Sequence, residues 1–364
     1  MIKKGRNKMR FVHIADMHFD SPFSSLNRVA NLGDKRRLEQ REVFSSIITY
    51  IKEEKIPYFF IAGDLYEQEY IKKSTIQYLN EQFKRIPNTR IFIAPGNHDP
   101  YLKNSYYAQY KWQDNVHIFG SQLERIETEE AVIYGYGFDD FYCRNCGIES
   151  WNIKEQKPSI LVMHGSVDSG KSIDQEYNPI ASRILEQSGF DYIALGHIHK
   201  KDCKEEQCWC YPGSTISLGF DELGKHGMVV GNVEKEKREI TFVPMDPKEF
   251  KELTIDIGDI VSEEELVEKI KTQKYQQNEL YKVILAGKRK MEINPSHLFS
   301  LLDNPLILKI KDETELGYSL SAIAREETLK GLFVKELLET IKENPEQKEK
   351  IEKAIQYGLE SLEG

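Results

Sequence analysis

The first two thirds of this chain predict an α/β fold, followed by a small α+β region and a helical end. Three observations carry that reading. Short apolar runs alternate with helical stretches from Arg10 to about Val243, as strands joined by crossover helices or hairpins do. Residues able to hold metal ions fall just past the ends of successive strands, where an α/β sheet gathers its loops into one crevice. The charge density then rises after Met245-Asp246-Pro247, and the apolar spacing becomes helical from Ser319.

Taken in order, the strands are FVHIA (11–15), YFFIA (58–62), RIFIA (90–94), AVIYGYG (131–137), SILVMH (159–164) and DYIALG (191–196). Between the first three, Val43, Ile47, Ile48 and Ile51 mark a helix over 38–55, and Ile76, Leu79 and Phe83 one over 74–85. MVVGNV (228–233) and REITFVP (238–244) flank a charged turn and read as a hairpin. The segment 248–311 has a helix-like run at 263–272 beside strand-like runs such as LYKVILAG. Beyond it, Ile323, Leu329, Leu332, Phe333, Leu337, Leu338 and Ile341 form one apolar stripe, and Ile351, Ile355, Leu359 and Leu362 a second past Asn344-Pro345.

Composition narrows the classes. With 364 residues, 40% hydrophobic and 30% charged, the chain can bury a core and is not globally disordered. No apolar run approaches the roughly 20 residues of a membrane helix, and no signal peptide is evident. Fifty Lys and Arg against 59 Asp and Glu exclude a uniformly basic surface for nucleic acid, so any phosphate must be held locally. The odd count of five cysteines, Cys143, Cys146, Cys203, Cys208 and Cys210, argues against a disulfide framework and for a reducing cytosol. Their spacings leave two readings open, zinc thiolates from two knuckles or ordinary loop and hairpin thiols.

Five strand ends present oxygen or imidazole ligands: Asp16 and His18, Asp64, Asn97 with His98 and Asp99, His164, and His197 with His199. Neutral imidazole and carboxylate suit manganese, iron and zinc alike, and a dinuclear site needs one carboxylate to bridge ions about 3.5–4 Å apart. Asp64 is the candidate bridge. Such a pair binds phosphoryl oxygens and activates water, which makes phosphoester hydrolysis the natural chemistry.

In order, D-x-H, G-D, G-N-H-D, H-G and G-H-x-H resemble the calcineurin-like metallophosphoesterases. That resemblance implies a two-sheet β-sandwich flanked by helices. It assigns Asp16, His18, Asp64 and His199 to one metal and Asp64, Asn97, His164 and His197 to the other. His98 becomes the group that stabilises the transition state or protonates the leaving oxygen, with a carboxylate to orient it. Glu67 stands where many relatives have Asp or His. HIADMHFDSPF, AGDLYE, PGNHDP, ALGHIHK and YPGS further resemble the SbcD-type DNA-repair exonucleases, bacterial counterparts of the meiotic-recombination-eleven nucleases.

This closer likeness implies a nuclease domain over 1–247, a small α+β DNA-facing cap over 248–312, and C-terminal helices over 313–364 that dock an SMC-type, SbcC-like ATPase. It further implies two divalent ions, manganese foremost with iron, zinc or magnesium as alternatives, and a homodimer acting on DNA in the cytoplasm, near the nucleoid. Hydroxide attacks the phosphodiester, and the exonuclease can have endonuclease action as well. Lys3 to Arg10, Lys200-Lys201 and Lys288-Arg289-Lys290 are the local basic clusters. Two alternatives stand beside it: a phosphoesterase for a small nucleotide or phosphoprotein, and a DNA-end-binding scaffold. The phosphoprotein phosphatases are disfavoured because their motif needs Arg where Gln68 stands. Gly165 to Ser172 matches the P-loop pattern letter for letter, but SIDQEYNP reaches Asn178-Pro179 before any helical stripe, so a mobile loop beside the metals is expected instead.

Overall fold

The computed structural model describes residues 8–22, 32–168, 177–316 and 320–363. Lys3 to Asn7 of the first basic cluster and Ser169 to Ser172 of the P-loop-like run lie outside them. The chain divides into two compact units, 1–250 and 251–364.

In chain order the first unit runs β1 (Met9–Ile14), α1 (Leu32–Glu53), β2 (Tyr58–Ile61), α2 (Lys73–Lys84), β3 (Arg90–Ile93), α3 (Tyr106–Gln109), β4 (Val116–Ile118), β5 (Glu124–Glu127), β6 (Val132–Tyr136), β7 (Ser159–His164), α4 (Ser182–Gln187), β8 (Tyr192–Gly196), β9 (Asp202–Cys203), β10 (Trp209–Tyr211), β11 (Gly227–Glu234) and β12 (Lys237–Pro244). Two six-stranded sheets result, ordered β12-β11-β1-β2-β3-β4 and β5-β6-β7-β8-β10-β9. β1 through β4 run parallel in the first, and β6, β7, β8 and β10 in the second.

Alternating faces of these strands build three packed layers. Phe11, Phe60, Phe92, Val162 and Ala194 meet between the sheets. Val12, Ile14, Phe59 and Ile61 turn outward onto Val43, Phe44, Ile47 and Ile51 of α1 and onto Ile76, Leu79 and Phe83 of α2. Leu161, Met163, Ile193 and Leu195 cover the outer face of the second sheet with Leu185 of α4. A strand buried on both faces needs a continuous apolar run, which is why SILVMH and YIALG are so legible. The expected two-sheet α/β sandwich is therefore present.

The departures have physical causes. α1 begins six residues earlier than its apolar stripe suggests, because its first turns bury Arg36 and Gln40 rather than hydrophobic residues. β4, β5, β9 and β10 are too short to show a periodicity. The expectation of free thiols fails at one pair: Cys203 and Cys210 stand directly opposite each other in the β9–β10 hairpin, 4.4 Å apart at Cα, and form a disulfide. Cys143, Cys146 and Cys208 are free. After β7 the chain from Gly165 to Asp168 opens no helix; Val167 pairs with Ile180 instead.

The second unit contains β13 (Glu249–Asp256, entering from the first unit), α5 (Glu263–Lys271), β14 (Glu279–Ala286), β15 (Lys288–Arg289), α6 (Pro295–Leu301), β16 (Ile307–Asp312), β17 (Glu315–Leu316), α7 (Leu320–Ile323), α8 (Leu329–Glu343) and α9 (Lys348–Glu363). β13, β14 and β16 form a sheet whose core includes Leu266, Val283, Leu285 and Leu298. Val334, Ile351, Ile355 and Leu359 join α8 to α9. No described helix is long and apolar enough to cross a membrane.

One buried ion pair ties α1 to the end of the first unit. Both side chains are fully buried; Arg36 Nη2 and Nη1 donate to the two carboxylate oxygens of Asp246 at 2.8 and 3.1 Å, and Nη2 also reaches the Ser217 carbonyl at 2.9 Å. Removing one partner strands the other charge. Asp246→Ala should lower unfolding stability by about 3 kcal/mol, read from the denaturant midpoint; a loss of under about 1 kcal/mol contradicts this account of the pair.

Candidate metal centre

Backbone strain marks the site before any side chain is considered. Asp16, His18, Asp64 and His197 all take positive φ, at 51°, 49°, 52° and 107°, a region that costs residues other than glycine on the order of 1 kcal/mol or more. Each follows a strand end, and the left-handed step turns its side chain back across the crevice. Hydrogen bonds between loops hold the turns: Asp16 N–H donates to Gly63 O at 3.1 Å and His18 N–H to Asp64 O at 2.9 Å.

Behind the loops sits Asp99, fully buried. Its carboxylate accepts from the backbone N–H of Asp64, Leu65 and Gly96 at 3.0, 2.7 and 2.7 Å, and from the Tyr107 hydroxyl at 2.6 Å. Burial, then the neighbouring Asp64 charge, raise its pKa to about 7. Gly63 and Gly96 complete the frame. A Cβ on Gly63, at φ +85°, would strike the His164 ring, and one on Gly96 would strike the Asp64 carboxylate.

The predicted ligands converge. Ligand atoms of Asp16, His18 and His199 lie within 4.8 Å of one another, as do those of Asp16, Asp64 and His164, and those of His18, Glu67 and His98. Asp64 spends Oδ1 on the His98 backbone N–H at 2.9 Å. Its Oδ2 stands 3.3 Å from His164 Nε2 and 3.8 Å from His18 Nε2, facing both groups at once. Asn97 Oδ1 is 3.0 Å from His164 Nε2. His197 packs its ring edge-on against His164, centroids 5.2 Å apart, and its backbone N–H donates to Asp16 at 2.9 Å; its ring belongs to none of the three clusters.

The proton positions follow from the partners. Each Nδ1 faces an atom that can only accept: Glu67 Oε1 for His18 at 2.7 Å, Glu222 Oε1 for His199 at 2.5 Å, and the Ala62 carbonyl for His164 at 2.9 Å. The Nδ1 atoms therefore carry hydrogen, and in the neutral ring each Nε2 offers a lone pair. Yet His18 Nε2 and His199 Nε2 face each other at 3.1 Å, and His164 Nε2 faces the oxygens of Asn97 and Asp64. Acceptors pointed at acceptors repel unless positive charge lies among them. This donor set, imidazole nitrogens, carboxylates and one amide oxygen, fits divalent cations.

The titration behaviour agrees. Burial disfavours imidazolium at His164 and His199, but Asp64 at the former and Glu222 at the latter outweigh it and raise both to about 9. Burial likewise works against the Asp64 carboxylate, and His164 then His18 overcome it, holding Asp64 well below the usual carboxylate range. Asp16, with less compensation for its burial, is raised. His197, buried beside His164, falls to about 3. At the mouth, the Glu67 hydrogen bond raises half-exposed His98 to about 9 against its own desolvation. Glu67 drops to about 2 because hydrogen bonds from His18 and His98 outweigh its burial.

Glu222 is the residue that motif reading missed. It lies 23 positions after His199 in no recognisable pattern, yet accepts from His199, Ser214 Oγ and Leu218 N.

The calcineurin-like phosphoesterase family model matches residues 9–201, more than half of the chain, and the chain belongs to that family. It is 30% identical over 239 residues to the uncharacterized metallophosphoesterase YhaO of Bacillus subtilis (strain 168), a match covering 62% of this chain and 57% of that relative's length. It is also 28% identical over 295 residues to the SbcD component of the SbcCD nuclease of Staphylococcus epidermidis, covering 70% and 75% of the two chains. The likeness to SbcD-type nucleases expected from the motifs is thus borne out. A solved structure, TT1561 of Thermus thermophilus, superposes at TM-score 0.37 and 8% identity, over 64% of this chain and 98% of that one.

Two substitutions test the frame. Gly96→Ala should displace Asp64 and cut metal-supported hydrolysis at least 100-fold while the far-ultraviolet dichroism stays native. Glu222→Gln should weaken binding of added divalent metal by about 10–100-fold in calorimetric titration; unchanged affinity would show that His199 needs no such support.

Proposed function

We propose that the chain is a two-metal DNA phosphodiesterase, an exonuclease with endonuclease capacity, of the kind that processes double-strand breaks. The observation that carries the chemistry is the convergence of acceptor atoms on Asp64 Oδ2; the SbcD relative supports DNA as substrate. Asp16, His18, His199 and Asp64 would hold one ion, and Asn97, His164 and His197, again with Asp64, would hold the second. When bound, such ions neutralise the scissile phosphate and acidify a water molecule.

The chain's own residues do the rest. His98, protonated near neutral pH and open to the cleft, donates its proton to the departing oxygen, while hydroxide attacks the phosphorus from the opposite side. Glu67 is a positioning residue: its Oε2 holds His98 Nδ1 at 2.8 Å and aims Nε2 outward, and its Oε1 holds His18. The left-handed turns and Asp99 keep this geometry from relaxing.

The remaining assignments belong to the same proposal. Manganese is the metal, and the protein is a homodimer working in the cytoplasm at the nucleoid. The segment 248–312 faces DNA; Lys269, Lys288 and Lys290 line a recess there together with Asp256 and Asp259. The segment 313–364 docks an SMC-type ATPase, consistent with the exposure of Leu329 and Leu332 on α8.

The direct test is hydrolysis of labelled double- and single-stranded DNA with added manganese, beside bis-p-nitrophenyl phosphate and a phosphopeptide. Asp64→Ala should lose both ions by metal analysis and all turnover. His98→Ala should retain two ions yet lose at least 100-fold in rate. DNA left intact while the small substrates turn over would keep the metal site and reject the nuclease.

A further inference from the structure

The crevice continues past His98 into a cavity of about 580 Å³ whose far wall is aromatic: Tyr70, Phe141, Tyr142 and Tyr177. Tyr70, Phe141 and Tyr142 are exposed, at 52%, 37% and 54%, an unusual amount of ring surface to leave in water beside a polar centre. The rings are also ordered. Tyr142 and Tyr177 stack 5.9 Å apart with planes 22° from parallel, and Tyr177 lies 5.2 Å from the His197 ring. A short ladder of rings, tilted by 41° at His197 and stacked at Tyr142, therefore climbs to the mouth and ends on half-exposed Tyr142.

Charge narrows the occupant. Among the described residues no lysine or arginine lines this cavity, whereas Glu67 and Glu69 do. A run of backbone phosphates finds no described cation there, so the wall suits something flat and uncharged attached to the scissile phosphate. A nucleobase is that group, and aromatic faces take any base because every base has a π-face. Bases inside a duplex are already stacked and paired, so only an unpaired one can extend the ladder.

Resting on the nuclease reading of the same site, we infer that this aromatic cavity receives the unpaired nucleobase next to the scissile phosphate. The preferred substrate is then a frayed or single-stranded end.

The test uses the full chain, added manganese and single-stranded oligonucleotides in which a tetrahydrofuran abasic unit replaces the nucleotide on each side of the terminal phosphodiester in turn, at either end. For the wild type, one of these substitutions should lower kcat/KM about tenfold. Tyr142→Ala should lose about tenfold on the intact strand and almost nothing more on the abasic one. Tyr142→Phe, which keeps the ring, should retain the wild-type discrimination. Equal rates on intact and abasic strands, or discrimination that survives Tyr142→Ala, would overturn the inference and leave the nuclease standing. Hydrolysis of bis-p-nitrophenyl phosphate or a phosphopeptide with no hydrolysis of any DNA would remove both.

Discussion

The first unit's crevice answers to one electrostatic constraint: two buried carboxylates, three imidazole Nε2 atoms and an amide oxygen face one another at close range. Without a cation the cluster is satisfied only by extra protons, with His164 Nε2–H directed at Asp64 and Asn97 and His199 Nε2–H at His18, which is why both rings are raised to about 9. The fold can hold this arrangement because the groups come from five loops, each anchored to a buried parallel strand. Three of those side chains, on Asp16, His18 and Asp64, sit in left-handed backbone, so strain is stored at the centre itself. Metal binding is then coupled to deprotonation of His164 and His199, and the site's affinity depends on pH through those displaced protons.

The surrounding residues make sense as a shell that forbids escape. Asp99 gathers three backbone N–H groups beneath Asp64 and Gly96; Glu67, Glu222 and the Ala62 carbonyl dictate which imidazole nitrogen faces inward. None of these atoms needs to touch a substrate. They matter because a flipped imidazole would present N–H to the centre and repel a cation instead of binding it. Small residues are demanded for the same reason, since Gly63 and Gly96 occupy the space through which the loops approach.

How far the chain could be read without its structure follows from this division. Doubly buried strands carry unbroken apolar runs, and ligand-type side chains at their ends carry motifs, so the sandwich and Asp16, His18, Asp64, Asn97, His98, His164, His197 and His199 were visible. What was not visible depends on tertiary approach alone. Glu222 supports His199 from a loop with no pattern, and the start of α1 is held by Arg36 and Gln40, whose burial no hydrophobic periodicity reports. The Cys203–Cys210 pair exists because a two-residue strand doubles back on another of three. Tyr142 and Tyr177 are 35 positions apart in sequence and meet only because Cys143 pairs with Tyr177.

Glu67 shows why a departure from a family pattern deserves a geometric account rather than a penalty. Its carboxylate must reach His18 and His98 together, one oxygen to each, at 2.7 and 2.8 Å. Its extra methylene over aspartate carries the carboxylate out to where the two rings meet it. The side chain therefore joins a metal-ligand candidate to His98 through a single anion. A cation held by His18 would draw electron density from its ring and make its Nδ1–H a stronger donor to Glu67, and that in turn would lessen the negative charge Glu67 offers to His98. A less stabilised imidazolium is a stronger acid, so a cation at the centre would make His98, in the role proposed for it, the readier proton donor.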